Sequence, residues 1–169
     1  MRVRLFISLL IAGIVPVTGL AEPANVRTPS PVIYLADNLD EADGLGWCID
    51  TVGRGFSDRL HAHSCKPQGG DVRFRFLAET GQIQSVAFEE KCVEVEGTDV
   101  MRLFDCADKD TQRFQYDPVD MRFRRLSDPS QCLTAGADSR SAGPFMSRDL
   151  TIAQCDDEET HFQAWIVIP

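Results

Sequence analysis

His61, His63 and Cys65 occupy alternate positions, the spacing at which a β-strand presents side chains on one face. Two imidazoles and a thiolate so placed would be metal ligands. If Cys65 is oxidised, only two histidines remain, because His161 is the sole other histidine and lies far along the chain. No metal or cofactor is therefore expected. The acidic run Asp156-Asp157-Glu158-Glu159 lacks the alternating oxygen spacing of a calcium loop and reads as a solvated turn. The sequence contains no G-x-S-x-G, H-E-x-x-H or phosphate-binding glycine loop. With no catalytic signature and too few residues to build a deep cleft, a non-catalytic protein is expected.

Whether Cys65 is oxidised depends on the compartment, and the N-terminus addresses that. Arg2 and Arg4 precede an apolar stretch from Leu5 to Val17, and Gly19-Leu20-Ala21 places small residues at a cleavage site. Residues 1–21 thus have the layout of a secretory signal peptide. Residues 22–31 carry Pro23, Pro29 and Pro31 and read as a flexible lead-in. The folded domain is expected over 32–169, in a secreted or periplasmic protein with no membrane span after cleavage. All six cysteines lie beyond the leader, so disulfides are the default. Six cysteines allow 15 pairings. If the chain repeats, nearest-neighbour pairing is the natural one: Cys48 with Cys65, Cys92 with Cys106, Cys132 with Cys155.

The chain does repeat. Cys48-Ile49-Asp50, Cys92-Val93-Glu94 and Cys132-Leu133-Thr134 each read cysteine, apolar, polar. Each second cysteine closes an alternating run: Leu60 to Cys65, Met101 to Cys106, Leu150 to Cys155. An aromatic strand then follows, at Val72-Arg73-Phe74-Arg75-Phe76, Gln112-Arg113-Phe114-Gln115-Tyr116 and Phe162-Gln163-Ala164-Trp165-Ile166-Val167. Period-two alternation rich in β-branched and aromatic residues marks strands, and no stretch shows a helical period. Turn signals fall at Thr80-Gly81, Asp117-Pro118, Asp128-Pro129 and Gly143-Pro144. The chain reads as all-β, with about four short strands per repeat. Three units are too few for a propeller. Closing them on themselves removes exposed edges, which requires the last strand, near Trp165, to meet the first, near Val32. Acidic residues outnumber basic ones, 26 to 17, for a net charge of -9. That balance argues against nucleic acid and anionic membrane surfaces as partners.

Three repeats of about 40 residues, each with a cysteine-apolar-polar start and an aromatic strand, resemble the ricin B-type lectins. Gln163-Ala164-Trp165 is a full Q-x-W, Gln112-Arg113-Phe114 a relaxed one, and Val72-Arg73-Phe74 keeps only the aromatic. The resemblance implies a β-trefoil with one disulfide per pseudo-repeat. It also implies pockets in which an acid just after the first cysteine accepts hydrogen bonds from sugar hydroxyls, an aromatic platform stacks on the ring, and a further polar group assists. In the first repeat these would be Asp50, His63 with His61, and Asp71. In the second they would be Glu94, Phe104, Arg102 and Gln112. The third has Thr134 and Ala153 at the acid and platform positions and an insertion, 137–147, and reads as structural. Glycans or glycoconjugates are the implied partners. The rival is a trefoil whose sugar sites have decayed and which binds a protein partner, as a toxin-targeting or assembly subunit or a peptidase inhibitor.

Overall fold

A computed structural model describes residues 23–169. The leader expected at 1–21 lies outside the described residues. Twelve antiparallel strands form one continuous barrel-like sheet. In chain order they are β1 Val32–Leu35, β2 Trp47–Thr51, β3 Leu60–Ser64, β4 Phe74–Leu77, β5 Gln82–Ser85, β6 Lys91–Glu96, β7 Val100–Asp105, β8 Phe114–Asp117, β9 Arg122–Arg125, β10 Asp128–Ala142, β11 Phe145–Gln154 and β12 Trp165–Ile168. The fold is the expected β-trefoil. Hairpins β2–β3, β6–β7 and β10–β11 each carry the two cysteines of one repeat at their ends. Pairs β4–β5, β8–β9 and β12–β1 alternate with them. The last of these joins the chain ends, with Leu35 opposite Trp165 and Val32 opposite Ile168.

The three disulfides are Cys48–Cys65, Cys92–Cys106 and Cys132–Cys155, one per repeat. They close loops with separations of 17, 14 and 23 residues. In the chain-entropy account a loop of this size stabilises by about 3 kcal/mol. The core is where the three repeats converge. Phe74, Phe114 and Trp165, the aromatics of the three equivalent segments, are all buried there with Trp47 and Phe123.

Three expectations are corrected by the coordinates. The strands begin at Phe74, Phe114 and Trp165, two, two and three residues later than expected. Gln112 ends a one-turn 3-10 helix at Asp110–Gln112, and Gln163 directly follows another at Thr160–Phe162. Asp128-Pro129 is the start of β10 and not a turn, since the chain has already reversed at residues 126–127. Proline is tolerated there because it sits at the beginning of a strand. Finally, the lead-in is fastened to the body. Asn25 N–H donates to Gly44 O, the Thr28 hydroxyl donates to Lys66 O, and Pro23 bridges to Asp37. A side chain at Gly46 would place its Cβ 2.6 Å from that of Ala24, so the segment rests directly on the glycine. Proline composition suggested looseness, but an approach this close holds the chain through contacts made elsewhere.

Candidate functional site

The residue two places after the first cysteine of each repeat meets the glutamine of the aromatic segment in the second and third repeats but not in the first. In the second repeat, Gln112 is fully buried. Its Oε1 accepts from Ala107 N–H and from Gln82 Nε2, and its Nε2 donates to Asp105 O and to Glu94 Oε2 at 2.7 Å. In the third, Gln163 repeats the pattern: Oε1 accepts from Asp156 N–H, and Nε2 donates to Gln154 O and to Thr134 Oγ1. Each glutamine is a brace that ties the two ends of its hairpin to the following strand. The first repeat has Val72 in this place, buried against Cys48, Cys65 and Val32. Asp50 therefore has no amide to receive.

Lys66, directly after Cys65, fills the vacancy. Its Nζ lies 2.9 Å from Asp50 Oδ2 and 2.9 Å from Asp71 Oδ2. Burial alone would lower its pKa, but the two carboxylate hydrogen bonds outweigh this and raise it, so the ammonium persists. Asp50 is 1% exposed, and its Oδ1 is buried without a hydrogen-bond partner. Imidazoles of His61 and His63 each approach Asp50 Oδ2 to 3.6 Å, and their rings are 5.0 Å apart. Both histidines thus share one strand face, as their spacing required. His61 Nε2 is likewise buried without a hydrogen bond.

These groups line a cavity of about 570 Å³. Its opposite wall comes from the third repeat. The insertion at 137–147 does not make a loose loop but extends β10 and β11 into a long hairpin, whose tip turns at Gly143-Pro144. That hairpin crosses to the first repeat, where Ser147 pairs with His63 and Arg148 with Ala62. Phe145 is delivered edge-on to His63, with ring centroids 5.6 Å apart, and Arg140 also lines the cavity. Two contacts pin the hairpin. Ser64 Oγ donates to buried Glu41 and accepts from Met146 N–H. Arg148, 2% exposed, lies 4.6 Å over the Trp47 ring and donates to Asp40 and to the carbonyls of Gly136 and Ala137. Those carbonyls are released by the register shift between Ala135 and Ser139, and a buried carbonyl needs a donor. Burial pushes the Asp40 carboxyl up, but hydrogen bonds from Ser139 and Arg148 and the Arg148 charge bring it below the usual carboxylate range.

Of the residues expected in the first pocket, Asp50, His61 and His63 come together. Asp71 stands on the far side of Lys66, lining a neighbouring cavity that shares Lys66 and Phe145. Of those in the second repeat, Glu94 has both oxygens engaged, by Gln112, Thr111 and Lys109. Arg102 turns from its strand partner Glu94 to Glu96, at 2.9 Å. Phe104 is half-buried opposite Cys92. Gln112→Ala is expected to cost about 3 kcal/mol in urea denaturation, since it strands several buried partners at roughly 1 kcal/mol each.

Asp50, His61 and His63 also place three ligand-type atoms within 4.8 Å of one another. The Lys66 ammonium already sits on the carboxylate, so a divalent ion would first have to displace a cation. Burial holds His63 below its ordinary pKa of 6.5, against the opposing pull of the Ser64 carbonyl and Asp50. The unfolded chain then takes up this proton at higher pH than the folded one. Stability from neutral His63 is therefore complete above 6.5 and lost as pH falls through the folded value. The thermal midpoint should drop on acidification below that point, and His63→Gln should flatten this part of the profile.

With this geometry in hand, similarity to known proteins becomes informative. The family described as ricin-type beta-trefoil lectin domain matches residues 39–166. The chain belongs to this family. A search of curated proteins found no match. Among solved structures, the hemolytic lectin CEL-III aligns with a TM-score of 0.59 at 20% identity, over 84% of this chain and 32% of its own. The chain thus spans about a third of that lectin. The Haemophilus ducreyi cytolethal distending toxin aligns at 0.57 and 16% identity, over 94% of this chain and 95% of the toxin chain. The Vibrio vulnificus hemolysin/cytolysin β-trefoil lectin, solved with N-acetyl-D-lactosamine bound, aligns at 0.55 and 10% identity, over 80% and 90%. At such identities these likenesses establish the shared fold. Membership of the family supports a carbohydrate-binding trefoil.

Proposed function

We propose that the protein is a secreted, non-catalytic lectin that holds glycans in the first-repeat cavity. The observation that carries this reading is the unpartnered Asp50 Oδ1, buried at a cavity that also presents His61, His63 and Phe145. A buried carboxylate oxygen without a donor costs free energy, and a sugar hydroxyl supplies the missing hydrogen bond. The apolar ring of Phe145 and the half-apolar ring of His63 offer a surface to the C–H face of a sugar. The second repeat contributes structure instead, because Gln112, Thr111 and Lys109 already occupy the Glu94 carboxylate. A single shallow site binds weakly, so useful retention on a cell surface would come from several copies or several glycans.

A glycan array probed with the oxidised protein, with Asp50→Ala and with Glu94→Ala tests this. Specific binding that survives Glu94→Ala and disappears in Asp50→Ala supports it. Loss in Glu94→Ala alone would move the site to the second repeat.

The second reading is a toxin-type assembly or targeting subunit that binds a protein. It is favoured by the near end-to-end alignment with the H. ducreyi toxin chain and by Lys66 sitting where a sugar hydroxyl would approach Asp50. An array that stays silent with all three disulfides intact would favour it, and co-purification would then look for the partner.

A further inference from the structure

We infer that the first-repeat cavity selects acidic glycans, whose carboxylate or sulfate is received by Arg54 and Arg59 at its mouth. This rests on the lectin reading of the same cavity. The chain as a whole carries a net charge of -9, yet this cavity is lined by Arg54, Arg59, Lys66 and Arg140 against a single carboxylate, Asp50. The local charge is thus opposite to that of the molecule. Lys66 is held between Asp50 and Asp71, 2.9 Å from each, and so adds no free positive charge. Arg140 is paired with Asp149 at 2.7 Å, but both side chains are more than half exposed, and such a pair is readily exchanged. Arg54 and Arg59 are exposed and enter no ion pair among the described residues.

A neutral sugar has no use for this surplus. Its hydroxyls can be oriented by Asp50 and its ring covered by His63 and Phe145. An arginine, by contrast, offers a planar fork that matches the two oxygens of a carboxylate or sulfate. The depth of the groups fits a division of labour. Asp50 is buried and takes hydroxyls, while the arginines are exposed and meet a substituent that projects from the ring. The Lys66 ammonium, shared with Asp71, offsets part of the Asp50 charge and so weakens its repulsion of the acid. In an acidic protein, a confined cationic site also draws anionic ligands from solution and leaves neutral ones unaffected.

The test uses a glycan array that carries each core in neutral, sialylated and sulfated form. It is read with the oxidised protein, an Arg54→Gln/Arg59→Gln double variant and Asp50→Ala. Acid-bearing glycans are expected to bind over their neutral counterparts, more weakly as salt rises. The double variant should lose about tenfold of that affinity. Because both arginines are exposed, the variant should keep its near-ultraviolet dichroism. Preference for sialylated over sulfated forms would assign the site to carboxylates, and the reverse to sulfates. Equal binding of neutral and acidic forms, lost in Asp50→Ala, overturns acid selection and leaves the lectin reading standing. An unchanged double variant likewise overturns it. Binding that ignores Asp50→Ala, or no binding at all, removes the lectin reading and this inference with it.

Discussion

Asp50→Ala is expected to reduce glycan binding by roughly ten- to a hundredfold, while the protein stays folded. One hydrogen bond to a charged group is worth about 1.5–3 kcal/mol, and each 1.4 kcal/mol is tenfold in affinity. Oδ1 is the oxygen without a hydrogen-bond partner, since Oδ2 already faces Lys66 and the two histidines. The fold should tolerate the change. Lys66 keeps Asp71 as a partner at 2.9 Å, and the disulfide Cys48–Cys65 still closes the hairpin. Asp50→Asn separates charge from shape, because it retains the volume and one acceptor but loses the charge-assisted bond. Its binding should fall between wild type and alanine. Titration calorimetry with a glycan retained on the array reads both variants.

Arg148→Ala is expected to lower stability by about 3 kcal/mol, and the thermal midpoint by roughly 10 °C. The side chain is almost wholly buried, stacks on Trp47, and supplies the donors for Asp40 and two bulge carbonyls. Truncation leaves the two bulge carbonyls without that donor, leaves Asp40 with Ser139 alone, and opens a space beside an indole. The consequence reaches function. Arg148 does not line the cavity, but it anchors the hairpin whose tip carries Arg140 and Phe145 into it. Glycan affinity should therefore fall along with stability. Scanning calorimetry and the array read the two effects separately. A variant that loses stability and binds normally would show that the hairpin tip is positioned without this anchor.

Fold and site differ in how far the sequence disclosed them. Pairing of the cysteines was legible because the repeat set their phase, and each bridge closes a hairpin within one repeat. Closure of β1 on β12 followed from the need to cover edges. The clustering of Asp50, His61 and His63 was legible because all three lie on one hairpin, where Asp50 stands opposite His61 and Cys48 opposite His63.

The remaining parts of the site depend on contacts between repeats, which a local pattern does not encode. Phe145 reaches His63 from across the pseudo-threefold arrangement, through a register between β11 and β3 that no spacing reveals. The insertion at 137–147 looked like added loop length, yet it builds a wall. Lys66 was overlooked for another reason. It follows a cysteine, where the other repeats have Ala107 and Asp156, and its role appears only once Val72 is seen to lack the amide of Gln112 and Gln163. That absence was visible in the sequence as a weak Q-x-W match, and it carried more information than the match itself. In the second repeat that amide is present, and Glu94 and Gln112 are each other's hydrogen-bond partner.

The most direct test of the first-repeat site is a nuclear magnetic resonance titration of the oxidised protein with a glycan retained on the array. Shifts concentrated in His61, His63, Lys66 and Phe145, saturating together and absent in Asp50→Ala, are the predicted result. Shifts centred on Glu94 and Phe104, or spread over the surface without saturation, would contradict it.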